Sequence, residues 1–362
     1  MKFKLHKSLQ GKTAPAGGPA GIMNIQWHVT ARCQSRCRHC YMTNSHTYEN
    51  EIKNELSLED CIKILDHYRF YLDSKKLKGH LNFTGGDPLL REDIFQILEE
   101  AIKRGFKTFR FMGNPDSITE EMAKKLFRHH VTSYQFSLDG DKAYHDSARK
   151  EGSFDLIPSA INVLHKAGIN TALMFTLCKH NTDKLFPAMT IAAQWGVNNF
   201  AFAREVAIGN ASEEASSLMP AEEYRIFLLD YLRYAEELNS WGFKTNFGTK
   251  DHLFTPLIYG ELSEPGIEIM DTRCYMGYTC LNILSDGTVL LCRRLPIVLG
   301  HLPGDNLTDI IENHPVMQKV RDPGNFQKCS SCDYNMVCLG NPCVAYGLTG
   351  DPFSPDPQCW VQ

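Results

Sequence analysis

Three cysteines placed close together near the N-terminus constrain this chain more than any other feature. Cys33, Cys37 and Cys40 lie in the stretch 31-ARCQSRCRHCYM-42, with C-x3-C-x2-C spacing, after an apolar-leaning run at residues 25–29. A closed tetrahedral metal site takes four protein ligands. The fold must therefore either bring a fourth ligand to this loop or leave one coordination position open.

The remaining cysteines are clustered as well. The chain of 362 residues has 13 cysteines, of which eight lie between residues 274 and 359 and only Cys61 and Cys178 stand alone. No segment has the apolar core of a secretory signal or the roughly 20 apolar residues that span a bilayer. We therefore expect a cytoplasmic protein with no membrane partner. In that reducing compartment, clustered cysteines indicate metal ligands rather than disulfides.

The composition excludes one broad class of partner. Hydrophobic residues make up 43% of the chain and charged residues 22%, which is typical of a soluble protein with a sizeable core. The net charge is −4, and phosphate binding requires clustered basic charge. Nucleic acid is therefore not an expected partner.

Short apolar runs alternate with amphipathic, helix-like stretches in the first part of the chain. This alternation predicts a parallel sheet with right-handed crossovers, and six such units indicate an α/β fold with a partial (β/α)6 barrel. The predicted strands are residues 25–30, 80–84, 107–112, 133–140, 170–177 and 198–205.

The character of the sequence changes along the chain and predicts four regions. Residues 1–22 form an N-terminal leader, and residues 23–205 form the partial barrel. Residues 206–268 are a helical linker segment, and residues 269–362 form a small α+β cysteine-rich domain. A small region of that kind relies on metal or disulfide crosslinks because its apolar core is limited.

The two isolated cysteines are predicted to be structural. A helix is expected at residues 57–72, where Ser57 and Asp60 resemble a capping box and Cys61 lies on the apolar stripe. Cys178 is likewise expected to be buried. Neither residue is therefore a candidate for the missing ligand.

The residues alone leave two kinds of metal site open at the first three cysteines. A zinc site could be completed by His28, His39 or His46. A four-iron cluster held by three thiolates would instead leave one iron free for an exogenous ligand.

A hairpin is predicted in the C-terminal region. Apolar arms flank Ser285-Asp286-Gly287 within residues 280–292, and a three-residue loop ending in glycine is a favoured connection. In that register Leu284 pairs with Thr288, and Cys280 lies opposite Cys292 with Cβ atoms about 5 Å apart. The two thiolates could share a zinc ion or a cluster, and spacing alone does not choose between them.

The order of the N-terminal motifs resembles the radical S-adenosylmethionine (SAM) superfamily. The C-x3-C-x2-C motif follows the first predicted strand, 85-GGDP-88 follows the second, and 136-FSLDG-140 ends the fourth. The resemblance implies that Cys33, Cys37 and Cys40 hold a [4Fe-4S] cluster whose open iron binds SAM. Reduction would then cleave SAM and give a 5′-deoxyadenosyl radical that abstracts hydrogen from the substrate.

The resemblance also implies which residues contact SAM. The GGDP turn would bind the methionine amino group, although Asp replaces the Glu that is usual in the family. The residue before the third cysteine would stack on SAM, and others would contact its carboxylate, ribose and adenine. The implied cofactor-binding residues are His39, Gly85, Gly86, Asp87, Asn114, Ser137, Arg149 and Leu177.

The C-terminal cysteines resemble the SPASM domain that follows radical SAM domains in peptide-modifying enzymes. Twelve residues separate Cys274 from Gly287 and four separate Gly287 from Cys292, as in that pattern, but Cys338 and Cys343 are one residue further apart. The resemblance implies two auxiliary [4Fe-4S] clusters, and so three clusters in total. The first would be held by Cys274, Cys280, Cys292 and Cys343, and the second by Cys329, Cys332, Cys338 and Cys359.

The resemblance implies a maturase that oxidatively modifies a ribosomal peptide or protein, by thioether or carbon–carbon crosslinking. The alternatives are a formylglycine-forming sulfatase-maturing enzyme, a tetrapyrrole side-chain modifying enzyme, and a non-enzymatic electron carrier or zinc scaffold. A sulfatase-maturing enzyme would need a carboxylate base near the first auxiliary cluster, and none is obvious beside Cys292 in the sequence.

The expected partners are a peptide substrate and an external electron donor such as flavodoxin or ferredoxin. Arg293 and Arg294 could bind a peptide carboxylate, with solvent exposure as the favoured alternative. Only 32 residues precede Cys33, so we expect no leader-recognition domain at that end. A peptide substrate would be recognised by a separate leader-recognition protein, or by the barrel, the linker segment or the surface of the C-terminal domain.

Overall fold

A computed structural model of the chain describes residues 21–42, 45–213, 218–262 and 276–361. Almost all of the predicted leader, residues 1–22, lies outside the described residues, as does Cys274. The described strands are β1 (Ile22–Thr30), β2 (Lys78–Gly85), β3 (Phe109–Met112), β4 (Val131–Ser137), β5 (Asn170–Leu177), β6 (Asn199–Arg204), β7 (Asn246–Gly248), β8 (Cys280–Ile283), β9 (Thr288–Cys292) and β10 (Leu295–His301).

Helices alternate with these strands in the first part of the chain and follow them in the last part. They are α1 (Ser45–Lys53), α2 (Leu58–Lys75), α3 (Ile94–Lys103), α4 (Glu120–Arg128), α5 (Lys142–Ala148), α6 (Ser153–Lys166), α7 (Leu185–Gln194), α8 (Ala221–Ser240), α9 (Phe254–Leu257), α10 (Leu307–Asn313), α11 (Pro315–Arg321), α12 (Gln327–Ser330) and α13 (Pro342–Thr349). Within the described ranges, no helix is long and apolar enough to cross a membrane.

The strands join in one sheet with the order β10-β9-β8-β1-β2-β3-β4-β5-β6-β7. Strands β1 to β7 are parallel, and β1 to β6 are the six strands predicted from the alternating pattern. The α/β fold with a parallel sheet is therefore confirmed. The segment predicted as a helical linker also contributes β7, whose backbone pairs with the outer edge of β6.

The cysteine-rich region continues this sheet. Strand β8 runs parallel to β1, with Asn24 paired to Cys280 and Trp27 to Ile283, and β9 and β10 follow in antiparallel order. The hairpin register is as predicted, because the amide of Leu284 donates to the carbonyl of Thr288 at 2.8 Å. This pairing fixes the position of Cys292 relative to the loop that follows β1.

The two isolated cysteines behave differently from each other. Ser57 caps α2 and accepts a hydrogen bond from the amide of Asp60, and Cys61 is fully buried against the sheet, both as predicted. The prediction for Cys178 is wrong, because this residue is only half-buried. It follows β5 at the end of the sheet, and its thiol lies 3.3 Å from the Tyr144 hydroxyl.

A buried ionic network connects the end of β6 to two distant parts of the chain. The guanidinium of Arg204 donates to Asp251 at 2.7 Å, to Asp356 at 2.6 Å and to the side-chain oxygen of Gln358 at 2.9 Å. Arg204 is 2% exposed, and its charge also lies over the ring of Tyr224 at 4.9 Å. The planar guanidinium therefore connects the end of β6 to the linker segment through Asp251 and to the C-terminal tail through Asp356.

Candidate active site

The loop with the first three cysteines, residues 31–42, lies at the carboxyl ends of the parallel strands, beside a cavity of about 280 Å³ that is open to solvent. Ligands of α/β sheets bind at this edge because the loops that follow the strands converge there. The cavity wall combines the three cysteines with residues from strands β1 to β6, β8 and β9 or from the loops that follow them. It includes Gln26, Cys33, Cys37, His39, Cys40, Gly85, Gly86, Asn114, Ser137, Arg149, Asn282, Cys292, Arg293 and Arg294.

The thiol groups of this loop accept hydrogen bonds from fixed donors. The Asn114 side chain donates to the sulfur of Cys33 at 3.3 Å, and the Ser35 amide donates to the same sulfur at 3.4 Å. The guanidinium of Arg149 lies 3.7 Å from the sulfur of Cys37. Donors of this kind stabilise the thiolate form that binds iron.

A buried carboxylate that sequence reasoning did not select organises this side of the cavity. Asp139 is fully buried, accepts a hydrogen bond from the guanidinium of Arg149, and lies 3.3 Å from Nε2 of His39. Burial alone would raise the pKa of Asp139, but the charge of Arg149 and the contact with His39 outweigh it and hold the pKa well below its usual range. The family resemblance implies that Arg149 binds the SAM carboxylate. In the structure, Arg149 is already paired with the carboxylate of Asp139.

The GGDP turn packs its glycines directly against the cysteine loop. A Cβ atom added at Gly86 would lie 2.1 Å from the carbonyl oxygen of Arg32, so only glycine permits this approach. Gly85 and Gly86 line the cavity, but the carboxylate of Asp87 is buried behind them, where one oxygen accepts from the Leu89 amide at 3.1 Å. The other oxygen has no hydrogen-bond partner among the described residues, and burial raises the pKa of Asp87 to about 6.

The other residues expected to contact SAM fall in two places. Asn114 and Ser137, which follow β3 and end β4, both line the main cavity. Leu177 lines a neighbouring pocket instead, together with Cys178 and Tyr224. The two spaces share Arg204 and Glu205 in their walls, so Leu177 borders the main cavity only through these neighbours.

The second group of cysteines lies partly at the same cavity. The sulfur atoms of Cys292 and Cys343 are 4.0 Å apart, although 50 residues separate them in the sequence. Helix α13 brings Cys343 to the end of β9, and the hairpin register places Cys280 opposite Cys292. Cys274, the fourth expected member, lies outside the described residues.

The remaining four cysteines are those of the second predicted ligand set. Cys338 is buried, and Cys329, Cys332 and Cys359 are half-buried. Burial raises the pKa of Cys338, and the charges of Cys359 and Cys329 raise it further. The four residues come from α12, the following loop and the C-terminal tail, and their role as one ligand set stays a prediction.

The expected ligands are all thiolates, which are the ligands of iron–sulfur clusters and also of zinc. In the part of the chain that the structure describes, no three His, Cys, Asp or Glu side chains are placed to hold a single metal ion. The chemistry of the donor set therefore fits the implied clusters without excluding zinc.

A second buried ion pair lies beside Cys292. Arg293 is 6% exposed and donates to Glu51 of α1 at 2.9 Å, so the expectation of a solvated Arg293 is wrong. Arg294 is half-buried and donates to the carbonyl of Arg204. A carboxylate does therefore lie near Cys292, but it comes from a residue 241 positions earlier, which no local spacing could reveal.

Two aromatic side chains close this end of the site. Burial and the charge of Arg293 lower the pKa of His28 well below its ordinary value, so this fully buried imidazole is neutral. The ring of Tyr41 meets that of His28 edge-on with centroids 6.5 Å apart, and burial raises the pKa of Tyr41 to about 12. Both groups are uncharged at neutral pH.

The chain matches two families, one in each part. Residues 27–189 match the Radical SAM superfamily, and residues 274–333 match SPASM, an iron–sulfur cluster-binding domain. Cys338, Cys343 and Cys359 lie beyond the second match. The first match begins shortly before Cys33 and includes the GGDP and FSLDG motifs, and the second match begins at Cys274.

Curated relatives are similar over almost the whole chain. The AdoMet-dependent heme synthase of Methanosarcina barkeri is 28% identical over 92% of this chain and 95% of its own length. The mycofactocin maturase MftC of Mycolicibacterium smegmatis is 26% identical over 92% of this chain and 82% of its own.

Solved structures share the fold. SuiB of Streptococcus suis, bound to its precursor peptide SuiA, has a TM-score of 0.72 and 17% identity, covering 94% of this chain and 76% of SuiB. The anSMEcpe structure with bound AdoMet and the Kp18Cys peptide has a TM-score of 0.69 and 17% identity, covering 93% of this chain and 94% of that one. At this identity the likeness shows the common fold.

Proposed function

We propose that the chain is a radical SAM enzyme with a C-terminal SPASM domain that oxidatively modifies a ribosomal peptide or protein, by thioether or carbon–carbon crosslinking. The matches of residues 27–189 to the Radical SAM superfamily and of residues 274–333 to SPASM support this proposal. One observation carries the proposal. Cys33, Cys37, Cys40 and Cys292 all line the same cavity. A substrate in that cavity would lie between a site that generates a radical and a site that can accept an electron.

The chain's own residues would prepare the first of these sites. A reduced [4Fe-4S] cluster held by Cys33, Cys37 and Cys40 supplies the SAM cleavage that gives the 5′-deoxyadenosyl radical. Asn114 donates to the sulfur of Cys33 and fixes the direction of that thiolate. Arg149 places its charge beside Cys37 and keeps its orientation because the buried Asp139 holds it.

The cysteine-rich region would serve the oxidative half of the reaction. A crosslink between two substrate residues requires the loss of a hydrogen atom, an electron and a proton in addition to bond formation. Cys292 lines the cavity, and the sulfur of Cys343 lies 4.0 Å from its sulfur. Two ligand sets made only of thiolates favour electron transfer over substrate ligation, so they would accept the electron that the substrate radical loses. An external donor such as flavodoxin or ferredoxin would reduce the cluster that cleaves SAM.

The cavity wall carries paired cations and further ones. Arg149, Arg204 and Arg293 line the cavity and are paired with Asp139, Asp251 and Glu51 respectively. Lys250 and Arg294 line it as well, and Arg294 donates to the backbone carbonyl of Arg204. Because the relatives include both a maturase and heme synthases, a tetrapyrrole with propionate groups is the second candidate substrate.

Co-expression with candidate peptides tests the proposal. Each small open reading frame beside the gene is expressed with and without the enzyme, and the peptide mass is measured together with its fragmentation pattern. A crosslink appears as the loss of a pair of hydrogen atoms that changes the fragments between two residues. If no peptide changes mass while the purified enzyme cleaves SAM, the peptide proposal is wrong.

The same enzyme preparation separates the alternative substrates. The enzyme is also incubated with an iron porphyrin that carries propionate side chains. Release of carbon dioxide would indicate that the substrate is a tetrapyrrole. Conversion of Cys or Ser to formylglycine in a synthetic peptide would instead favour a sulfatase-maturing activity. A leader-recognition protein would be identified by the modification appearing only when a further neighbouring gene is co-expressed.

A further inference from the structure

Two buried polar atoms at the Cys292 side of the cavity have no partner. Asn282 is 2% exposed, and its side-chain oxygen has no hydrogen-bond partner among the described residues. Arg293 is 6% exposed, and its Nε atom also has none within the described chain. Both residues line the cavity. Buried polar groups are almost always satisfied, so an unpaired acceptor and an unpaired donor in one cavity wall indicate a missing ligand.

The charge of Arg293 limits what that ligand can be. Its terminal nitrogen donates to Glu51 at 2.9 Å, and Glu51 is 1% exposed. The pair therefore has no net charge, and a second carboxylate would be opposed by the first. The free donor is the Nε–H, which suits a neutral carbonyl oxygen.

The position of Asn282 makes its oxygen a fixed acceptor. Asn282 lies in β8, between β1 and β9, opposite Gln26 on one side and Leu290 on the other. A side chain on a central strand is held more firmly than one on a loop. Gln26 also lines the cavity, so the wall beside Asn282 is polar without being charged.

We propose that Asn282 and Arg293 form a subsite that binds the backbone of the peptide substrate. Asn282 Oδ1 accepts a backbone N–H, and Arg293 Nε donates to a backbone carbonyl. The inference rests on the proposed peptide-modifying function and names the contacts by which the site holds such a substrate. Backbone recognition would fix the peptide beside Cys292 without selecting a particular side chain.

A backbone-methylation experiment tests the subsite. The probes are fluorescein-labelled synthetic peptides for the small open reading frames beside the gene, and analogues of the binding peptide with one backbone nitrogen methylated at a time. Binding to the anaerobically reconstituted full chain with SAM is measured by fluorescence anisotropy. Loss of one buried hydrogen bond in Asn282→Ala is expected to weaken binding about five- to tenfold.

The methylated analogues identify the contact itself. Methylation at one position should weaken binding to the wild type by a similar factor and have no further effect on Asn282→Ala, because the same hydrogen bond cannot be lost twice. Asn282→Asp keeps an acceptor oxygen and should bind more tightly than Asn282→Ala. Asn24→Ala is the matched control, since Asn24 lies on the neighbouring strand, donates to the Thr279 carbonyl and does not line the cavity.

Two results would overturn the subsite, and they differ from failure of the proposed function. If Asn282→Ala binds the peptides as the wild type does, or if every methylated analogue weakens both proteins equally, Asn282 does not contact the backbone. Circular dichroism confirms that each variant is folded. If the wild type binds no peptide and modifies none on co-expression, the proposed function and the subsite both fail.

Discussion

The effective charge of a side chain at the cavity depends more on its partners than on its residue type. Arg149 and Arg293 are both arginines in the cavity wall, and each is neutralised by a buried carboxylate, that of Asp139 or Glu51 respectively. Within the described part of the chain, one oxygen of Asp87 has no hydrogen-bond partner, and burial raises the pKa of this residue to about 6. The predictions at this scale concern the charge and ligand role of single side chains.

Replacing Cys33, Cys37 and Cys40 together with alanine should abolish SAM cleavage. The iron content should fall by about a third, from about twelve to about eight irons per chain, because the other two ligand sets remain complete. Formation of 5′-deoxyadenosine and total iron are measured after anaerobic reconstitution. Cys178→Ala is the control and should keep both, since Cys178 belongs to neither group of thiols. Retained cleavage in the triple variant would contradict the assignment.

The affinity for SAM should depend on pH through Asp87. Burial raises the folded-state pKa of this carboxyl to about 6, so it is ionised above that pH and protonated below it. The ionised form attracts the ammonium group of SAM, and affinity should therefore fall as pH decreases from about 7 to about 5. Equilibrium dialysis with labelled SAM across this range is the measurement. Asp87→Asn should bind more weakly at pH 7 and lose that part of the pH dependence.

At the scale of elements, two loops are held together by backbone contact. The amides of Gly86 and Asp87 donate to the carbonyls of Thr30 and Arg32 at 2.9 and 2.8 Å, so the turn after β2 lies directly on the loop after β1. The GGDP turn is therefore part of the support of the cysteine loop as well as part of the cavity wall.

Gly86→Ala should displace the cysteine loop. The new methyl group would lie 2.1 Å from the Arg32 carbonyl oxygen, so one of the two loops must move. We expect weaker SAM binding and fewer irons per chain, measured by dialysis and iron analysis. Gly304→Ala is a matched control, because the nearest atom to its added methyl group would be at an ordinary 3.6 Å. Equal behaviour of the two variants would show that the loops tolerate separation.

At the scale of the whole molecule, the C-terminal region is part of the barrel sheet. Strand β8 pairs with β1, and Arg204 at the end of β6 binds Asp356 near the C-terminus. The cysteine-rich region is therefore attached to the parallel sheet at two places. Its backbone pairs with β1, and a buried ion pair joins it to the end of β6. This double attachment sets the relative position of the two groups of cysteines.

Arg204→Gln should destabilise the fold strongly. The substitution leaves Asp251 and Asp356 buried without a cation, which typically costs about 3–5 kcal/mol. The comparison is Arg233→Gln, which removes an exposed pair with Asp230 and should cost at most about 1 kcal/mol. Thermal unfolding of the reconstituted proteins measures both, and limited proteolysis should cut the C-terminal tail of Arg204→Gln first. A tail that stays protected would argue against the role of this network.

The sequence by itself determined the alternation of strands and helices, the hairpin register and the position of the three-cysteine loop after the first strand. These features depend on residues close together in the chain, such as the C-x3-C-x2-C motif and the loop at Gly287, where local geometry allows few conformations. The boundaries of β1 to β6 lie within about three residues of the predicted strands for the same reason.

Only the tertiary structure decided which charges the cavity carries. Glu51 meets Arg293 across 242 positions of sequence, and Asp356 meets Arg204 across 152. Spacing contains no information about such pairs, because the contact depends on how whole elements pack. The local sequence around Cys292 allows Arg293 to be either solvated or buried. The packing of α1 against the hairpin places Glu51 beside Arg293, which makes this arginine a neutralised donor in the cavity wall.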